Sequence, residues 1–255
     1  MKLDLFIFVK KMFSIFKSKP KLSELIPEGY IDIHSHLLHE LDDGAKNVAD
    51  SAFILQSMID LGISKSITTP HTMAHVWENT SEIILSSQNS LLNELPELTS
   101  KLELKVASEY LLDHSFMELF QSKPLLTLKD NYVLVEMSYL NPPIQLFEII
   151  FQLQVAGYTP ILAHPERYAF YHDDFEMYKK LKNAGCYFQI NLLSSVGYYG
   201  KEVALTAQKL LKNELIDFAG SDIHHKNHID AFSRKVIVKD YEKLVGIMKN
   251  NSIFY

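Results

Sequence analysis

Two histidines and a pair of aspartates open the chemically capable part of this chain: Asp32-Ile33-His34-Ser35-His36, followed by Asp42-Asp43-Gly44. In an extended strand, side chains two apart share a face, so His34 and His36 can offer two imidazoles to one cation from one rigid element. Four later segments repeat the pattern of an apolar run ending in a ligand type: Ile67-Thr68-Thr69-Pro70-His71, Val106-Ala107-Ser108-Glu109, Val133-Leu134-Val135-Glu136 and Ile161-Leu162-Ala163-His164. A fifth, Phe218-Ala219-Gly220-Ser221-Asp222-Ile223-His224, gives another same-face pair in Asp222 and His224. Taken singly, Glu136 is an ordinary strand-end ion-pair residue and His71 an ordinary turn residue after Pro70. Taken together they are hard to account for without metal, because burying so many ionisable groups around one axis is costly unless cations neutralise the carboxylates and take the imidazole lone pairs.

A donor set of imidazole and carboxylate without thiolate suits Mn²⁺, Fe²⁺ or Zn²⁺ better than Ca²⁺ or Mg²⁺. Manganese is the expected ion, although the donors alone do not separate it from iron or zinc. The candidates exceed the needs of one ion, and a carboxylate such as Glu109 can bridge two, so a cluster of two or three divalent ions is expected. Such clusters favour in-line displacement at phosphorus by stabilising the attacking and leaving oxygens together. In His164-Pro165-Glu166-Arg167-Tyr168, Arg167 can clamp phosphate oxygens with its planar fork; its alternative is a structural ion pair with Glu166 or Asp173. The expected reaction is hydrolysis of a phosphomonoester by a metal-bridging hydroxide, with no phospho-enzyme. Cysteine-based phosphatase chemistry is excluded: the residue six after Cys186 is Leu192, so the Cys-x5-Arg cradle is absent, and Cys186 reads as core.

These residues need elements to hold them. β-rich runs recur at residues 30–34, 66–69, 102–108, 132–136, 159–163, 187–191 and 217–220, alternating with helical patterns at 48–61, 81–95, 144–156, 175–184 and 202–213. Asn79, Thr80 and Ser81 are available to cap the second helix, and Gly62 and Gly157 stop the first and third. Alternation of this kind predicts a mainly parallel sheet with helical crossovers. Chemically capable residues sit at or just beyond the end of every run, Asn191 among them. An open sheet concentrates its ligand at one switch point, whereas a barrel gathers all strand ends around one axis, so a seven-stranded (β/α)7 TIM-like barrel is expected.

The chain has 255 residues, 47% of them hydrophobic, and a formal net charge of −6, which gives no reason to expect nucleic-acid binding. Its single cysteine excludes an intramolecular disulfide and agrees with a reducing compartment, so a cytoplasmic location is expected. The division expected is an N-terminal extension over residues 1–27 and one catalytic domain over 28–255. The extension's apolar runs are too short to span a bilayer and lack a cleavage site; an amphipathic helix resting on the protein body, or peripherally on the inner membrane face, is its expected form.

The motifs DIHSHLLHELDDGAKN, TTPH, SEY, VLVEMS, ILAHPERY, QIN and AGSDIHH resemble, in order, those of the polymerase and histidinol phosphatase (PHP) superfamily, and within it the bacterial capsule-associated protein-tyrosine phosphatases. The resemblance runs from about Tyr30 to the C-terminus, and DDGA and HPERY are specific to the subgroup. It implies a distorted seven-stranded barrel with a trinuclear site whose ligands are His34, His36, Asp43, His71, Glu109, Glu136, His164, Asp222 and His224, with Glu109 bridging. It also implies that Arg167 binds phosphate and that the substrate is phosphotyrosine on a protein, typically the tail of a tyrosine kinase controlling capsular or exopolysaccharide export. The loop after His71 departs from relatives that carry a basic residue there. His39 stands where relatives often carry a non-titrating residue; His75, His225 and His228 are expected not to ligate, and His114 and His172 to be solvated loop or helix residues. The rival readings are a small-molecule phosphomonoesterase of the histidinol-phosphatase kind and a non-catalytic kinase-binding protein.

Overall fold

The computed structural model describes residues 18–255. The expected N-terminal amphipathic helix falls mostly on residues 1–17, outside the described residues. Of the remainder of the expected extension, Leu22 is fully buried and Lys21 bridges Lys235, so this part packs on the body.

Among the described residues, nine short strands pair in parallel: β1 (Ile31–Asp32), β2 (Lys65–Thr68), β3 (His71–Thr72), β4 (Glu103–Val106), β5 (Glu109–Leu111), β6 (Tyr132–Glu136), β7 (Thr159–Ala163), β8 (Tyr187–Asn191) and β9 (Phe218–Gly220). They form a three-stranded sheet, β1-β2-β4, and a six-stranded sheet, β3-β5-β6-β7-β8-β9. The α/β class and the parallel pairing agree with expectation, but a single closed seven-stranded ladder is not what forms. The division falls at Pro70, which has no N–H to donate, and at Ala107–Ser108: the strands expected at 66–69 and 102–108 end there as β2 and β4, and β3 and β5 form beyond them, where no strand was expected. The Pro70 carbonyl instead accepts from Glu109 N at 3.1 Å and from Ser108 Oγ at 2.9 Å. Between the sheets, Ser35 bridges Ile223 in parallel, Asp222 N donates to the His34 carbonyl at 2.7 Å and Thr69 N to the Ser35 carbonyl at 2.8 Å.

The crossover helices follow their local signals. α1 (Val48–Asp60) is capped by the Asn47 side chain, which accepts from Asp50 N at 3.0 Å, and buries Ser51, Ile54, Leu55 and Met58 at helical spacing. α2 (Ser81–Glu94) is capped by Thr80, one of the three expected candidates, and is followed by the short α3 (Pro96–Thr99). α4 (His114–Ser122), capped by Asp113, was not expected. α5 (Leu146–Val155), α6 (Phe175–Asn183) and α7 (Lys201–Lys212) lie within two residues of expectation at each end; α8 (Lys226–Ala231) and α9 (Tyr241–Asn250) complete the set. No helix among the described residues is long and apolar enough to cross a membrane.

Strand alternation sorts the core into two layers. Ile33, Ile67, Leu134, Ile161, Ala163 and Phe218 form an inner cluster closed by Phe254, while Val133, Val135 and Leu162 join the larger outer cluster against the helices. By that parity His164, following Ala163, belongs outside. It adopts a left-handed φ of 36° instead, and its ring turns inward to Glu109. Asp222 is also left-handed, with φ of 52°. Such backbone costs about 1–3 kcal/mol per residue and concentrates where function needs it.

Candidate metal centre

Of the nine expected ligand residues, His71 and Glu109 open β3 and β5 just past the ends of β2 and β4, Glu136 ends β6, and the rest lie in the segments that follow β1, β7 and β9. Their donor atoms fall into four overlapping groups, each with every atom within 4.8 Å of the others: His36, Asp43, His71 and His224; His34, His36 and Asp222; His34, Glu109 and His164; His71, Glu109 and Glu136. Glu109, fully buried, is the hub. Its Oε1 lies 3.0 Å from His164 Nε2, and its Oε2 lies 3.0 Å from His34 Nε2, 3.2 Å from His71 Nδ1 and 3.4 Å from His36 Nε2. His224 Nε2 and His71 Nε2 stand 3.4 and 3.5 Å from Asp43 Oδ1, which is the more exposed edge of the cluster.

Two residues that the sequence reading did not single out orient the histidine pair. His34 Nδ1 is 2.7 Å from Gln189 Oε1, and His36 Nδ1 is 2.7 Å from Asp42 Oδ2. Both partners accept, so each Nδ1 carries a proton, and a ring that is neutral when it binds a cation presents its Nε2 lone pair to the centre. The two Nε2 atoms lie 3.2 Å apart, with Asp222 Oδ1 3.3 Å from the first and 3.4 Å from the second. Nearby, His71 Nδ1 and Glu136 Oε1 are buried 2.9 Å apart without forming a hydrogen bond to each other or to any other group. Converging acceptors with no donor between them fit divalent cations well.

Two glycines let the pair approach. A Cβ on Gly44 would stand 2.2 Å from the His36 carbonyl oxygen and 2.6 Å from His36 Cβ, and one on Gly220 would stand 2.6 Å from His34 Cβ and 2.8 Å from Gln189 Nε2. Gly220→Ala is therefore expected to destabilise the fold by roughly 1–3 kcal/mol and to weaken metal binding with it. Denaturant unfolding and metal titration check this; a variant as stable as the parent would show that the strand has room to move.

Without an ion, protons must balance the same charges. Burial opposes charge on His34, but the Glu109 and Asp222 carboxylates outweigh it and push its pKa up to about 9. Burial likewise opposes charge on His36, and Asp42 overcomes it, holding His36 well above its usual range. Reciprocally, burial favours neutral Glu109 and Asp222, yet His34 draws both well below the carboxylate range. A folded pKa near 9 against about 6.5 in the unfolded chain gives a stabilisation present in full below pH 6.5 and lost as pH rises through 9. Chelator-treated protein should lose thermal stability across that window, and added manganese should restore it most at the alkaline end, where protons no longer compete. Melting curves against pH with and without Mn²⁺ test this; metal protection that shrinks as pH rises would contradict it.

A cavity of about 580 Å³ opens over the cluster, lined by Asp43, His71, Glu136, His164, Asp222 and His224 below and by Arg167 at its side. Arg167 Nη1 donates to Asp222 Oδ2 at 2.8 Å, rather than pairing with Glu166 or Asp173. Its guanidinium carbon sits 4.7 and 4.1 Å from the ring centres of Tyr139 and Tyr199, which hold it in place. Asn191 also donates to Asp222 Oδ2, at 2.7 Å, so this strand-end residue orients a ligand candidate. Buried Glu166 accepts from Asn191 N at 2.9 Å and Ser194 Oγ at 2.7 Å beneath it. Gln189 was findable, since it shares a strand face with Asn191; Tyr139 and Tyr199 lie in loops whose sequence gives no sign of their role. His75, His225 and His228 belong to none of the four ligand groups. His75 and His114 are exposed, and His228 Nδ1 accepts from His224 N at 3.2 Å. Cys186 is buried and free.

Fold and site together define the class: a parallel α/β enzyme built around a histidine–carboxylate cluster able to hold metal. The chain belongs to the capsular polysaccharide synthesis CpsB/CapC family, whose pattern matches residues 30–249. It is 30% identical over 196 residues to the tyrosine-protein phosphatase YwqE of Bacillus subtilis, covering 76% of this chain and 77% of that protein. It is 26% identical over 233 residues to the tyrosine-protein phosphatase CpsB of Streptococcus pneumoniae, covering 88% of this chain and 94% of the relative. Among solved structures, it superposes with a TM-score of 0.73 and 27% identity, over 86% of each chain, on a structure described with YwqE and CpsB as unique metal-dependent tyrosine phosphatases.

Proposed function

We propose that this protein is a metal-dependent protein-tyrosine phosphatase whose nine convergent groups, His34, His36, Asp43, His71, Glu109, Glu136, His164, Asp222 and His224, hold two or three divalent ions, with manganese the best match. The observation that carries the reading is the buried Glu109 hub, with its two oxygens directed to different histidines, beside the buried His71–Glu136 contact at 2.9 Å. When bound, the ions supply Lewis acidity that makes water nucleophilic near neutral pH and offsets phosphoryl charge.

The chain's own residues do the rest. Gln189 and Asp42 fix the tautomers of His34 and His36, so that both rings present lone pairs inward. Arg167, steadied by Tyr139 and Tyr199, turns its fork to the cavity and holds phosphoryl oxygens as charge builds on them. Asn191 keeps Asp222 in place while Arg167 engages substrate. A phenolate leaving group, with a pKa of about 10, departs more easily than an alkoxide.

The two sheets fit a distorted seven-stranded barrel, with β2–β3 and β4–β5 as interrupted single strands and the Ser35–Ile223 bridge as its seam. Residues 28–255 then make one catalytic domain. The family's link to capsular polysaccharide synthesis supports a phosphotyrosyl tyrosine-kinase tail as substrate, which implies work in the cytoplasm at the inner membrane face. Phosphate release by the manganese-loaded chain from a phosphotyrosyl peptide, set against histidinol phosphate, tests the substrate class. The peptide is expected to be the better substrate; strong preference for the small molecule would overturn that part of the reading.

A further inference from the structure

The cluster floor is charged, but the walls above it are apolar, and two of their side chains stand in solvent. Met73 and Trp77 close a tight turn through Met73 N to Trp77 O and Trp77 N to Met73 O, both 2.9 Å, with His75 in a left-handed φ of 65° at its tip. This turn lays the Trp77 ring nearly parallel over His71, with centres 4.9 Å apart and planes 14° apart, and leaves Val76 58% exposed at the cavity mouth. A second segment of the lining, the chain leaving β6, presents Met137, Tyr139 and Leu140, the last 83% exposed. Arg167 and the ligand groups line the same cavity, so a phosphate seated there places its ester substituent among these apolar side chains, Trp77 included.

Resting on the phosphatase reading above, we infer that Trp77 and its turn form the aryl-binding wall of the site, and that Trp77 determines specificity for aryl over alkyl phosphate esters. A flat apolar ring laid against this lining gains contact area, whereas a short alkyl ester leaves Trp77, Val76 and Leu140 in water. The turn is held by its own backbone bonds, so the wall is formed before substrate arrives.

Trp77 is the single tryptophan of the chain, so its emission reports this position alone. Phenylphosphonate and methylphosphonate, titrated into the manganese-loaded full-length protein, distinguish the outcomes. Phenylphosphonate is expected to alter Trp77 emission and to bind roughly tenfold tighter than methylphosphonate. In Trp77→Ala, phenylphosphonate affinity measured by calorimetry should fall roughly tenfold while that for methylphosphonate stays within about twofold, and Trp77→Phe should recover most of the preference. Equal affinity for both phosphonates, or an aryl preference that survives in Trp77→Ala, would overturn the inference while leaving the phosphatase reading intact. Failure of either phosphonate to bind, with no hydrolysis of a phosphotyrosyl peptide, would remove the reading on which it rests.

Discussion

Glu109→Gln should abolish turnover, with a loss of at least about a thousandfold, and should cut divalent-metal affinity by roughly a hundredfold. The substitution keeps the shape of the side chain and removes its charge. In the native site Glu109 sets four imidazoles around one buried carboxylate, and among the described residues no other carboxylate is in contact with both His164 and the His34–His36 pair. An amide there can offer one oxygen, but its other arm becomes a donor, which repels a cation and cannot bridge. Because the replacement is isosteric, the fold is expected to persist, and circular dichroism with calorimetric metal titration separates loss of metal from loss of structure. Near-parental activity in the variant would mean that the ions, or the reaction, lie elsewhere.

Arg167→Lys is expected to lower kcat/KM for a phosphotyrosyl peptide by roughly a hundredfold with metal content unchanged, and Arg167→Ala by more. Lysine keeps a positive charge, which a general electrostatic role would tolerate. It loses the fork that can hold two phosphoryl oxygens and the planar face that sits against Tyr139 and Tyr199. Asp222 keeps its Asn191 bond in either variant, so the ligand itself should stay in place. A Lys variant with full kcat/KM would reduce Arg167 to a structural partner of Asp222, and a fall in bound metal that matches the fall in activity would point the same way.

The parts of this site that were legible in the sequence share a physical cause. His34, His71, Glu109, Glu136 and His164 each end or follow a run of β-rich apolar residues, and a parallel α/β chain brings such positions to one side whatever the order of its loops. Asp42 and Gln189 were harder to single out, because their work is to orient His36 and His34 rather than to meet the centre. Asp42 was visible only as one member of a pair, and the structure gives the two aspartates different tasks: Asp43 faces His71 and His224, while Asp42 accepts from His36 and from the His71 backbone. The short strands β3 and β5 beyond Pro70 and Ala107–Ser108 depend on hydrogen bonds between distant segments, so a periodicity argument stops at residues 69 and 108 and does not reach them. Residues 114–122 carry a capping Asp113 and a helical apolar spacing at Phe116 and Phe120, but two apolar positions in so short a segment do not distinguish a helix from a loop. The left-handed turn at His164 had no sequence signature, since only the bond to Glu109 explains why a histidine accepts that conformation.

Metal content and activity, followed together on one preparation, test the central claim most directly. The purified full-length chain should carry two or three divalent ions by mass spectrometry, lose phosphate release from a phosphotyrosyl peptide in proportion as a chelator removes them, and regain it with manganese. A chain that binds no divalent ion, or that releases phosphate undiminished after the ions are gone, would contradict it.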